Sequence, residues 1–197
     1  MKKALLFAIL GFSINCFGQI NNSLRAELLE IYKTDQDRAF SPSDKDFMER
    51  WNKQNRIDSI NLIRVSKIMD SIGYPGRSLV GDTAYLAAFY VIQHSNLKSQ
   101  EYYLPIIKKA ADLNEIEWRY VAMMIDRIKV GKNEKQIYGT QLHGIKDPKT
   151  GYINDKAEFY PIEDESNVNL MRQKVGLSTI EEYAKQMGVV YKKKSGL

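Results

Sequence analysis

The stretch DTAYLAAFYVIQHS (Asp82–Ser95) decides the fold, because every residue from Ala84 to Ile92 is apolar or aromatic. A surface helix keeps a polar face, whereas a helix that is apolar all round must be covered on all sides. Asp82–Ser95 therefore predicts a central, enclosed helix, and the flanking segments must supply its wrapping.

Those segments have the right periodicity. Ser23–Ala39 carries Leu24, Leu28, Ile31 and Tyr32 at helical spacing, with Ser23 as the expected N-cap. Phe40-Ser41-Pro42-Ser43 breaks it, and Asp44–Trp51 reads as a short helix or an irregular turn. Ile57–Ile72 has one stripe of Ile57, Ile60, Val65, Ile68 and Ile72, closed by the turn Gly73-Tyr74-Pro75-Gly76. Gln100–Leu113 and Glu115–Lys129 follow as two amphipathic helices. After Gly131 the period changes. Gln136–Leu142 and Glu158–Ile162 read as strands around a polar loop with Asp147-Pro148 and Thr150-Gly151. Val168–Val175 and Ser178–Met187 are two short closing helices, with Gly176 as the stop between them. The expected fold is mainly α: a single-domain helical bundle around a central buried helix, with a small antiparallel β-hairpin near the C-terminus.

The first residues, MKKALLFAILGFSINCFG (Met1–Gly18), have a positive start, an apolar centre too short to span a bilayer comfortably, and small residues near the end. They predict a bacterial-type secretory signal cut after Gly18, with one domain over 19–197 and a periplasmic or secreted location. Lipid anchoring through Cys16 is the less favoured variant, because Asn15 is bulkier than the residue that usually precedes a lipidated cysteine. Cys16 is the chain's single cysteine. A mature chain without it has no disulfide, cysteine nucleophile or thiolate metal site. The formal charge of +5 becomes +3 without Lys2 and Lys3, and part of the excess sits in the tail at Lys192, Lys193 and Lys194. A nucleic-acid partner would want a stronger, structured basic face, and no later segment is apolar enough to cross a membrane.

Polar residues on inner faces mark the candidate site. Asp35 and Arg38 continue the Leu24–Leu28–Ile31 stripe, and Asn61 and Arg64 sit among Ile57, Ile60, Val65 and Ile68. Inward charges are costly unless paired or wet. They fit helix ends that meet at a polar place, and equally ends that face solvent or pair at i,i+3. The enclosed helix ends in Gln93-His94, at the negative end of its dipole. His94 fits a general base or anion holder, with Asp126 as its orienting carboxylate; it also fits a structural cap. Arg127, beside Asp126, is suited to a carboxylate or phosphate. Tyr138, Thr140 and Gln141 fall in the dense polar run Gln136–His143, where Gly139 allows a close backbone approach. The run reads as a polar wall of that site or as a solvated hairpin.

Several motifs together resemble a known family. They are the Gly-Tyr-Pro-Gly turn (73–76) with Leu79-Val80-Gly81, Gln93-His94, Leu104-Pro105, Asp126-Arg127-Ile128 and Gln136-Ile137-Tyr138-Gly139-Thr140-Gln141. Pro161-Ile162 with Asp164, then Val168-Asn169 with Arg172 and Gly176-Leu177, complete the series. The pattern is similar to the bacterial domain-of-unknown-function family numbered 6624 over nearly all of the chain after the signal. Tyr74 stands where the family pattern implies tryptophan, and Asn169 where it implies aspartate. The resemblance implies one domain and a shared polar cluster, and no reaction.

Known catalytic spacings are missing from the sequence. There is no Gly-x-Ser-x-Gly elbow, no His-Glu-x-x-His pair, no phosphate loop and no EF-hand spacing. Asp35 and Asp126 are candidates for a glycosidase pair, but their separation is not fixed by sequence. The sequence predicts no cofactor and no metal centre. Two functions follow. One is a small-ligand binding or hydrolytic pocket, with His94 and Asp126 as its chemistry and Gln93, Arg127, Tyr138, Thr140, Gln141, Asp35, Arg38, Asn61 and Arg64 around it. The other is a non-catalytic secreted interaction or structural protein, whose polar cluster docks the hairpin. The partner is an unknown small molecule or an envelope component, the latter also reachable through the basic tail.

Overall fold

The computed structural model describes residues 19–37, 45–146 and 153–192, without the side chains of 146 and 153–156. The expected signal segment 1–18, Arg38, Pro42, the residues around Pro148 and the lysines Lys193 and Lys194 lie outside the described residues.

The molecule is mainly helical, with one two-stranded antiparallel sheet near the C-terminus. In chain order the elements are α1 (Asn22–Gln36), α2 (Phe47–Ile72), α3 (Arg77–Val80), α4 (Ala87–His94), α5 (Leu97–Asp112), α6 (Trp118–Gly131), β1 (Leu142–Lys146), β2 (Ile153–Phe159), α7 (Val168–Lys174) and α8 (Ile180–Gln186). Among the described residues, no helix is long and apolar enough to cross a membrane.

The enclosed helix is α4. It packs against α1, α2, α5 and α6, and Ala87, Ala88, Phe89 and Ile92 have no exposed surface. It is shorter than the apolar run suggests. Asp82–Leu86 forms turns ahead of it, and Gly81 (φ +77°) closes α3 just before them. Tyr85 is nevertheless buried, its ring under the Arg77 guanidinium at 4.2 Å. The apolar run thus reports burial faithfully but not helix length.

Other helix boundaries also differ from the periodicity reading. Asn21, not Ser23, caps α1, accepting from the Leu24 N–H at 3.0 Å. Phe47–Ile72 is one continuous helix, whereas the sequence reading gives a short helix or irregular turn over Asp44–Trp51 and a separate helix over Ile57–Ile72. No Gly or Pro interrupts that span, and its polar stretch Asn52–Arg56 is helix-compatible. Gln54, buried in that stretch, donates to the Thr34 carbonyl of α1 and to Asp58 one turn on.

The C-terminal segments form a second, smaller core of Ile162, Val168 and Ile180, with Phe159 and Tyr191 against it. The hairpin pairs Leu142 with Phe159, His143 with Glu158 and Gly144 with Ala157. Gln136–Gln141 is not a strand. Gln136 makes an isolated bridge to Ile162, and the regular ladder starts only at Leu142. α8 opens with a reciprocal Thr179–Glu182 capping box.

Because Phe89 is fully enclosed and ring-packed on Tyr90 and Tyr120, its truncation should be among the costliest. Phe89→Ala is expected to lower unfolding free energy by about 3–5 kcal/mol, read from the urea midpoint at unchanged slope.

Candidate functional site

The last turn of α1 and the end of α4 meet where Asp35 and His94 come together. His94 Nδ1 lies 2.9 and 3.1 Å from the two carboxylate oxygens of Asp35. Asp35 is 1% exposed and also accepts from Gln36 Nε2 at 2.7 Å. A carboxylate on Nδ1 favours the proton there, which makes Nε2 the acceptor nitrogen, as a base needs. His94 is partly exposed, at the edge of a cleft of about 320 Å³. α2 supplies Asn55, Asp58 and Ser59 to its wall, and Ser95 and Asn96 follow His94. Leu62 and Val91 give it an apolar side. That volume suits a small molecule. Asn61, on the inner face of α2, donates to Thr34 Oγ1 at 3.2 Å and so helps fix the turn that carries Asp35.

The second polar constellation lies on α6. Asp126 is fully buried, and its carboxylate takes the backbone N–H groups of the following loop. Oδ1 accepts from Ile137 at 2.7 Å and Tyr138 at 3.1 Å, and Oδ2 accepts from Tyr138 at 3.2 Å and Thr140 at 3.0 Å. The Thr140 hydroxyl adds a further bond to Oδ2 at 3.0 Å. Burial pushes the Asp126 carboxyl above its ordinary value, against the pull of these donors.

Arg172, 1% exposed, serves the carbonyls of the same loop. Its Nη1 donates to Tyr138 O at 2.6 Å and Gly139 O at 3.2 Å, while Nε donates to Ser178 O at 2.6 Å. Burial pulls its pKa down. Gln136, also fully buried, closes the loop by bonding both the N–H and the C=O of Gln141. Gly139 makes the close approach expected of it. Its φ is +65°, and a Cβ there would stand 2.6 Å from Ile180 Cδ1.

The predicted site residues therefore fall into two groups. Asp35 and His94 are joined, with Asn61 one contact away. Asp126, Tyr138, Thr140 and Gln141 are joined elsewhere. The carboxylate that orients His94 is Asp35, in place of the expected Asp126, because Asp126 is drawn into the loop by its backbone donors. Gln141 is tied to Thr140 Oγ1, and Tyr138 is buried. Arg64 is an outward residue, half-exposed and paired with Glu27. Gln93 is buried and its Oε1 has no hydrogen-bond partner among the described residues. It does not line the cleft. Arg127 is half-buried on α6 and does not line the cleft either. Among the described residues, no three His, Cys, Asp or Glu side chains are grouped as a metal site.

Sequence reading passed over Asn55, Asp58 and Ser59, since polar residues on a long helix look solvated until the partner helix is placed. It also assigned no role to Arg172. The signal existed: Arg172 is four residues from the inward Val168, on the same helical face.

The chain belongs to the family described as a family of unknown function (DUF6624), which it matches over residues 23–195. No curated protein and no solved structure matches it.

Asp126→Asn turns an amide N–H₂ toward backbone donors and removes the charge beside Arg172. It is expected to cost about 3–5 kcal/mol of stability. Hydrogen exchange at the amides of Ile137, Tyr138 and Thr140 should accelerate more than exchange in α4. Unchanged exchange at those three amides would refute the assignment of the loop to Asp126.

Proposed function

We propose that this member of a family without an assigned activity is an exported protein with a small polar-ligand site at the Asp35–His94 cleft, equipped for hydrolysis or proton transfer. The observation that carries this reading is the buried Asp35 carboxylate on His94 Nδ1 at the edge of a cleft of ligand size. In that role Nε2 takes a proton from a water or a ligand hydroxyl, and Asp35 stabilises the resulting imidazolium. Asn55, Asp58, Ser59 and Asn96 are placed to hydrogen-bond a bound molecule. Export rests on the composition of Met1–Gly18.

A second reading, the docking network, is favoured for Asp126 and the Tyr138–Gln141 run. All the bonds found at that carboxylate go to the loop of its own chain. Under this division, the network fixes the hairpin and the cleft does the chemistry.

Nitrogen-15 NMR of the imidazole at pH 8 is the direct test. His94 should carry its proton on Nδ1, and Asp35→Asn should release that preference. In a screen of small polar compounds by amide shifts, His94→Gln should abolish the response around Asn96 while keeping the fold. Any turnover found should drop on the order of 10²–10⁴-fold. An Nε2-protonated wild-type ring, or responses indifferent to His94→Gln, would sink the site and leave the network reading alone.

The export reading has its own check. Expression of the full chain in a bacterial host should yield an extracytoplasmic protein starting at Gln19 by mass spectrometry. A cytoplasmic product with an intact N-terminus would overturn it.

A further inference from the structure

A second cleft, of about 290 Å³, lies on the C-terminal side of the molecule, away from the residues of the Asp35–His94 site. Half-buried aromatic rings make its walls. His143 lies against Tyr160 at 4.6 Å between ring centroids, and Phe159 against Tyr191 at 5.7 Å. Carboxylates stand among these rings. Glu158 is well exposed and only loosely joined to His143, at 3.5 Å, and Glu165 accepts from the Tyr191 hydroxyl. Lys192 is the one lysine of the lining among the described residues.

Three features of this lining select a ligand class. First, the paired rings are tilted by 55° and 84°, so neither pair forms the parallel slot that would clamp a flat heterocycle. A puckered ring with an apolar face fits these surfaces better. Second, among the described lining residues two carboxylates stand against one lysine, a balance that disfavours anions such as phosphates. Third, the exposed Glu158 carboxylate is an acceptor and suits a ligand with hydroxyl donors. A proline-rich peptide has the puckered rings but offers carbonyls and few N–H groups. A saccharide has both, with C–H faces for the aromatic walls and hydroxyl edges for the carboxylates.

We propose that the cleft bounded by His143, Glu158, Tyr160, Glu165 and Tyr191 binds a neutral saccharide. The sugar's C–H face lies on Tyr160 or Tyr191, and its hydroxyls donate to Glu158. This site is independent of the Asp35–His94 chemistry and stands whether or not that chemistry is found.

The test is amide-shift titration of the whole protein with N-acetylchitotriose, cellotriose and maltotriose, and separately with a proline-rich decapeptide and inorganic phosphate. At least one trisaccharide should give saturable shifts at residues 142–145, 157–165 and 190–192. Glu158→Gln, at an exposed position that should not disturb folding, is expected to weaken that binding about tenfold. Tyr160→Ala is expected to weaken it at least as much. No saturable shift with any of the three sugars overturns the proposal. So does tighter binding of the decapeptide or phosphate at the same amides, or sugar binding unaffected by Glu158→Gln.

Discussion

The structure turns on a carboxylate placed where water cannot reach. Asp126 has no exposed surface, and an isolated charge in such a position would be prohibitive. It is tolerated because the chain that follows folds back and offers it three backbone N–H groups and a hydroxyl. Solvation of the charge and shaping of the loop are therefore one event. Ile137–Thr140 leaves the strand ladder because its donors are needed elsewhere, and the regular hairpin starts only beyond it.

The same loop is held from its opposite polarity by Arg172. The N–H groups of this peptide segment face an anion, while two of its C=O groups face a cation. Both charged groups are buried, and the peptide dipoles between them align with both. This ties α6, the loop and α7 into one unit, although their main apolar contacts belong to two separate clusters. Gly139 sits where the segment is tightest, against Ile162 and Ile180, so the polar clamp and the small C-terminal core share a boundary.

Much of this was legible in the sequence, for reasons that differ by element. The enclosure of α4 followed from a run without a polar face, which has only one low-energy environment. Asp35 and Asn61 followed from their angular position on amphipathic helices, and both are buried. Partner identity was not legible. Asp126 and Asp35 are both aspartates on inward helix faces, and only the packing of α1 on α4 decides which one reaches His94. The strand reading of Gln136–Leu142 failed for a related reason. Alternation of side chains assumes that backbone donors go to a neighbouring strand, and here a side chain on a helix claims them. Tyr138 and Thr140 matter chiefly through their main-chain atoms, which no side-chain pattern reveals.

The origin of the His94 carboxylate on α1 has a thermodynamic corollary. The imidazole and its orienting group come from helices far apart in sequence, so the cleft is complete only while the N-terminal helix stays seated on the core. Whatever occupies the cleft must then favour the seated form, by linkage, in proportion to its affinity. Occupancy and attachment of the first helix become two readings of one equilibrium. Loosening of the N-terminal segment would consequently part Asp35 from His94 without altering either residue.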